Sequence, residues 1–235
     1  FLTNVRSRAI FMGNIVNHLF DEQINDFENA DFKELFGKTF KKYPLEYVTT
    51  PDMGMEFLEE AQNHFKTLKT VLTEDFPTIG IDNLSEAITE PSFISADYGL
   101  QGRLDLLTEQ NDKINIVELK SGKLFSYRPN GINLHYHAQA LLYKYLISNG
   151  FEGKLDDINT YILYSRPLNK PNTIKGFEHK QLRYATPYKE LESQLFNVRN
   201  RIVALDYKLA NSNLEELHHI FTLSLIHISE PTRLG

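Results

Sequence analysis

The chain has 235 residues, 41% hydrophobic and 24% charged, which is enough to bury a core and too apolar for a disordered tail. Lysine and arginine number 25 against 31 acidic residues, a net charge of −6, so a basic coat for indiscriminate nucleic-acid binding is excluded. Cysteine is absent, which rules out disulfides, zinc–thiolate sites, cysteine nucleophiles and an iron–sulfur cluster held by this chain.

Residues 5–27 are predicted to form a helix, because Ile10, Phe11, Ile15, Leu19 and Phe20 recur near the helical period. Residues 28–50 are mixed and hold a basic cluster, Lys38, Lys41 and Lys42. Pro51-Asp52 reads as a helix start, and residues 55–72 as a second helix with Leu58, Ala61, Phe65 and Leu68 inward. Strands follow at 87–90, 92–95, 102–107 and 114–120, parted by turn signals at Asp97-Tyr98-Gly99, Gln110-Asn111-Asp112 and Ser121-Gly122. A third helix, 134–148, ends on Asn149-Gly150. A strand at 160–164, a Pro/Asn/Lys loop at 167–176, a short strand near 180–184 and a helix at 187–210 complete the order. This succession predicts one α/β or α+β domain.

No apolar run approaches the roughly 20 residues of a membrane span, and the first residues are no secretory signal, so a cytoplasmic location is expected. The chain does not begin with Met and is expected to be a segment of a longer protein. Residues 224–235 continue no preceding pattern and resemble translated sequencing-adapter DNA; they are expected to be non-native, leaving a domain over 1–223.

The chemistry concentrates in Gly102-Arg-Leu-Asp105 and Glu118-Leu-Lys120. Residues two apart in a strand share a face, so Glu118 and Lys120 point one way and Val117 and Leu119 the other. A hairpin turning at Asn111-Asp112 sets Asp105 opposite Glu118, with Cβ atoms about 4.5–5.5 Å apart. Two facing carboxylates are unfavourable unless something offsets them, and a hard cation such as Mg²⁺ or Mn²⁺ would. Lys120 then lies beside that cation as a point charge. A surface hairpin with a salt-bridged Glu and Lys is the other reading of the same residues.

Further elements stand in order along the chain: Gly13-Asn-Ile-Val-Asn-His18 in the first helix and Gln139-Ala-Leu-Leu-Tyr143 in the third. With Gly-x-x-Asp and Glu-x-Lys on successive strands, the set over about residues 5–165 resembles the PD-(D/E)xK nuclease superfamily, most closely its RecB-like branch. The His follows its Gly by five residues rather than four, and Leu104 stands where the superfamily's name has Pro. The resemblance implies a restriction-endonuclease-like α/β core, a central mixed sheet flanked by helices, with an amino-terminal helical region. It implies Asp105, Glu118, the Leu119 carbonyl and His18 as metal ligands, with His64 the competing histidine, and Lys120 as the catalytic lysine. Gln139 and Tyr143, four apart on one helix face, would join the site and brace the catalytic strand. Glu90 is a further candidate acid. Lacking Cys, the chain would be a cluster-free member.

The implied reaction is Mg²⁺- or Mn²⁺-dependent hydrolysis of phosphodiester bonds, on single-stranded DNA, with 5′-phosphate products favoured. Candidate DNA contacts are Arg103, Lys123, Arg128, the loop 166–175, and Tyr127 or Tyr136 for stacking. Overall acidity predicts weak DNA binding by this domain alone, and hence a helicase or ATPase motor, fused or associated, in repair or recombination. The chain has no P-loop and is not itself that motor. A catalytically silent DNA-binding or scaffolding domain of this fold, and an unrelated α/β protein with accidental motifs, are the alternatives.

Overall fold

The computed structural model describes residues 7–123, 131–148, 155–167, 180–186 and 188–219. Tyr127, Arg128, residues 168–175, the Asn149-Gly150 cap and the 224–235 tail lie outside them.

Helix α1 (Arg8–Asn25) starts where Ser7 Oγ accepts the Ile10 N–H at 3.2 Å. The mixed stretch over 28–50 holds two helices, α2 (Phe32–Lys42) and α3 (Pro44–Thr49). Asp31 caps α2 by accepting the Glu34 N–H, and Pro44 occupies the first turn of α3, where a missing N–H costs nothing. Helix α4 (Met55–Thr70) begins at Met55, as expected, after the start signal at Pro51-Asp52. Asp52 is left-handed, with φ 58°, and Gly54 takes the cap position.

The strands are β1 (Ile88–Thr89), β2 (Ser92–Ser95), β3 (Leu100–Arg103), β4 (Leu106–Gln110), β5 (Lys113–Lys120), β6 (Ile158–Tyr164) and β7 (Leu182–Tyr184). Helix α5 (Leu134–Ser148) links β5 to β6. Five strands form one mixed sheet in the order β1-β4-β5-β6-β7, parallel between β5 and β6 and antiparallel elsewhere. β2 and β3 form a separate ribbon.

Asn111 and Asp112 both take left-handed backbone, φ 56° and 58°, in a tight two-residue turn between Gln110 and Lys113. That turn pairs Leu106 with Val117 and carries the register toward Asp105 and Glu118. The expected single strand over 102–107 is broken at Leu104-Asp105. The Leu104 N–H turns to the Pro91 carbonyl, 3.0 Å, and the Asp105 carboxylate takes the Leu119 N–H that a ladder partner would have taken.

Both faces of the sheet are covered. Leu106, Val117, Leu119 and Leu163 pack into the core shared with α1, α2 and α4. Leu107, Ile114 and Ile116 pack with Ile147 of α5. β5 is therefore buried on both sides, and Glu118 shares the α5-facing parity of Ile114 and Ile116.

The chain divides into two compact units, Phe1–Pro187 and Tyr188–Gly235. The second contains α6 (Lys189–Asn211), on which Val198, Ile202 and Leu205 are exposed. No helix among the described residues is long and apolar enough to cross a membrane.

Candidate active site

The carboxyl-terminal ends of the parallel pair β5 and β6 open beside α5, the position where open α/β sheets place ligands. Glu118 and Lys120 project there together. Lys120 Nζ lies 2.6 Å from Glu118 Oε1, and Glu118 is 5% exposed. Gln139 of α5 reaches down to both, donating from Nε2 to Glu118 Oε1 at 2.6 Å and accepting from Lys120 Nζ at 3.1 Å. Tyr136, one turn earlier than Gln139, sets its ring 4.9 Å from Lys120 Nζ, a cation–π contact.

Gln139 Nε2 also lies 2.8 Å from the Tyr143 hydroxyl, which donates to the Arg103 carbonyl at 2.9 Å. Tyr143 thus ties α5 to the backbone just before the Leu104-Asp105 break. Gly102 lets this happen: a Cβ there would stand 3.1 Å from both Tyr143 Cε1 and Leu146 Cδ2. Tyr143 is held by two hydrogen bonds and Leu146 is buried, so neither yields freely. Gly102→Ala is expected to cost about 1–3 kcal/mol of stability, read by denaturant unfolding. An unchanged midpoint would mean that the packing against Gly102 is loose.

Asp105 meets Glu118 at the strand break. Asp105 Oδ2 accepts the Leu119 N–H at 2.7 Å, and the two buried carboxyl groups act on each other electrostatically. Burial pushes both carboxyls up from their ordinary range, and for Glu118 the neighbouring Asp105 charge adds to it. Glu118 Oε2 is buried with no hydrogen-bond partner among the described residues. A residue of a strand points its N–H and C=O to the same edge, so the Leu119 carbonyl faces the Asp105 side.

The amino-terminal helix contributes an acid that the sequence reading missed. Asp21 on α1 is within electrostatic reach of Glu90 and Asp105, and burial followed by Glu90 raises its pKa to about 7. Its signal in the sequence was an acid set among Leu19, Phe20, Gln23 and Ile24, all of which are buried. Glu90, with φ 50°, donates its backbone N–H to the Asp105 carbonyl at 3.1 Å, and its side chain pairs with exposed Arg103 at 3.5 Å.

His18 Nδ1 lies 3.4 Å from Lys42 Nζ, and its charged surroundings are Lys42, Glu22 and Lys38. Burial, then Lys42, lowers its pKa, and its Nε2 is buried without a partner among the described residues. His64 is fully buried behind the end of β5. Its Nδ1 is 2.8 Å from Ser165 Oγ, and Ser165 donates its N–H to the Lys120 carbonyl at 3.0 Å. Burial lowers the His64 pKa to about 4. Lys123 is exposed, and Arg166 lies 3.8 Å from Glu60.

No three His, Asp or Glu side chains among the described residues are grouped tightly enough to hold a metal ion. The donors present are two carboxylates and a backbone carbonyl, all oxygen, with one carboxylate oxygen left unsatisfied. That set fits Mg²⁺ or Mn²⁺, which bind through one or two carboxylates and keep several waters. No curated protein matches the chain. Residues 15–218 match the PD-(D/E)XK nuclease superfamily, a span from within α1 through α6 that includes Asp105, Glu118, Lys120, Gln139 and Tyr143. With that match over most of its length, the chain belongs to the PD-(D/E)XK nuclease superfamily.

Proposed function

We propose that this protein is a divalent-metal-dependent deoxyribonuclease that hydrolyses phosphodiester bonds in single-stranded DNA, as the nuclease module of a RecB-like helicase–nuclease in repair or recombination. The observation that carries the reading is the carboxyl pair Asp105–Glu118, with an unsatisfied Glu118 oxygen and Lys120 Nζ 2.6 Å from the other. In this reading residues 1–223 form the nuclease domain and 224–235 a non-native tail; the family match spans 15–218.

In this reading Asp105, Glu118 and the Leu119 carbonyl hold Mg²⁺ or Mn²⁺, with Asp21 adding negative charge at the rim. A bound ion supplies an activated water and polarises the scissile phosphate. Lys120 places a compact positive charge beside the phosphate, where negative charge grows in the transition state. Gln139 holds Lys120 and Glu118 in one geometry, and Tyr143 fixes the backbone that aims Asp105.

The test is cleavage of 5′- and 3′-labelled single-stranded DNA in Mg²⁺, Mn²⁺ or EDTA. Metal-dependent cleavage is expected, and the ladder reports polarity. Folded protein that binds DNA equally with and without metal and cuts under no condition would favour the silent DNA-binding domain.

A further inference from the structure

An acidic chain with an acidic site must still receive a polyanion. Helix α2 runs against the overall charge, carrying Lys33, Lys38, Lys41 and Lys42 against Glu34 alone. Lys38 is engaged by Glu34 at 3.2 Å and Glu22 at 3.4 Å. Lys33 and Lys41 are exposed and make no ion pair among the described residues. Lys42 Nζ lies against His18 Nδ1 and acts electrostatically on Asp21, which in turn senses Asp105. The basic end of α2 therefore lies against α1 at His18, one turn before Asp21.

Beside these lysines an aromatic ring is held in solvent. Phe40 is 53% exposed, and its ring lies on Tyr47 of α3 at 4.2 Å and 21° between planes. Phe36 meets it edge-on at 5.7 Å, and a 2.6 Å hydrogen bond between the Tyr47 hydroxyl and Thr39 Oγ1 fixes the supporting ring. Solvent-facing cations next to a supported ring suit one ligand class. Phosphates take the ammonium groups, and an unpaired base takes the ring face. A duplex keeps its base faces stacked and offers Phe40 nothing.

We propose that the α2–α3 hairpin is a docking track for single-stranded nucleic acid leading to the Asp105–Glu118 site, Phe40 stacking an unpaired base while Lys41 and Lys42 contact phosphates. This rests on the nuclease reading above. The test is fluorescence anisotropy of the full chain with a labelled single-stranded DNA oligonucleotide in EDTA, over a salt series, with a blunt duplex beside it. Phe40→Leu keeps apolar cover over Tyr47 and removes the π face; it is expected to weaken single-strand binding about tenfold and leave the duplex unchanged. Phe40→Tyr is expected to bind as wild type. Lys41→Gln with Lys42→Gln is expected to flatten the dependence of log K on log salt by about 0.7 per charge removed. Unchanged single-strand affinity of Phe40→Leu, or equal losses on single strand and duplex, overturns the track. If those variants still cleave in Mg²⁺, the nuclease reading stands without it. Wild-type protein that cleaves in Mg²⁺ yet does not bind in EDTA also overturns the track, and protein that does neither overturns both.

Discussion

Asp105→Asn is expected to abolish metal-dependent cleavage, a loss of at least about a thousandfold in single-turnover rate, while leaving the protein folded. The amide oxygen of Asn can still accept the Leu119 N–H that Asp105 Oδ2 accepts at 2.7 Å, so the strand break is preserved and only the charge is removed. Asp105→Ala also strands that buried N–H, at about 1–3 kcal/mol, and confounds stability with chemistry. Lys120→Ala is expected to cost about a hundredfold or more, because the positive charge 2.6 Å from Glu118 is lost. Lys120→Arg should not rescue it. A planar fork cannot replace a compact ammonium between Glu118 Oε1 and Gln139 Oε1. Wild-type cleavage by Asp105→Asn would remove the carboxylate pair from the reaction.

Asp21→Asn is expected to stabilise the metal-free protein increasingly as pH rises. In the fold its pKa stands at about 7 against 3.8, so between those values the folded state holds a proton that the unfolded state has released. Stability from this group is therefore highest below about pH 4 and is lost as pH rises through 7. The Asn variant escapes that loss. Taken whole, the shift is worth about 4 kcal/mol, and solvent screening of a partly exposed site reduces it to about 1–2 kcal/mol. Thermal melts in EDTA should coincide with wild type near pH 4 and separate by several degrees at pH 8. His18 and His64, whose lowered pKa values act in the opposite sense, are common to both proteins and cancel in the difference. Excess Mg²⁺ at pH 8 should raise the wild-type melting temperature more than that of the variant. A pH-independent difference would place Asp21 away from the acid cluster.

Gln139 and Tyr143 show how far helical spacing carries. Four residues apart, they were bound to share one face of α5, and they do, joined at 2.8 Å. Their partners were not legible from spacing, because the Arg103 carbonyl and Glu118 come from other strands. The hairpin register was legible, since Asn111-Asp112 tolerate the left-handed turn that sets it. α2 was legible, since Phe32, Leu35, Phe36 and Phe40 recur at the helical period, whereas α3, six residues long, is too short to show one.

The sequence by itself determined the α/β class, the pairing frame that brings Asp105 toward Glu118, the shared face of Glu118 and Lys120, and the family to which these belong. Periods of two and 3.6 and a two-residue turn are local properties, and local properties are written in order along the chain. Tertiary structure alone decided which group α1 presents. A helix carries His18 and Asp21 one turn apart, and only its packing against α2 and the sheet brings Asp21 within electrostatic reach of Asp105 and sets His18 Nδ1 beside Lys42. Packing likewise decided that Asp105 leaves the ladder to hold the Leu119 N–H, because the competing partner of Leu104, the Pro91 carbonyl, comes from outside the hairpin.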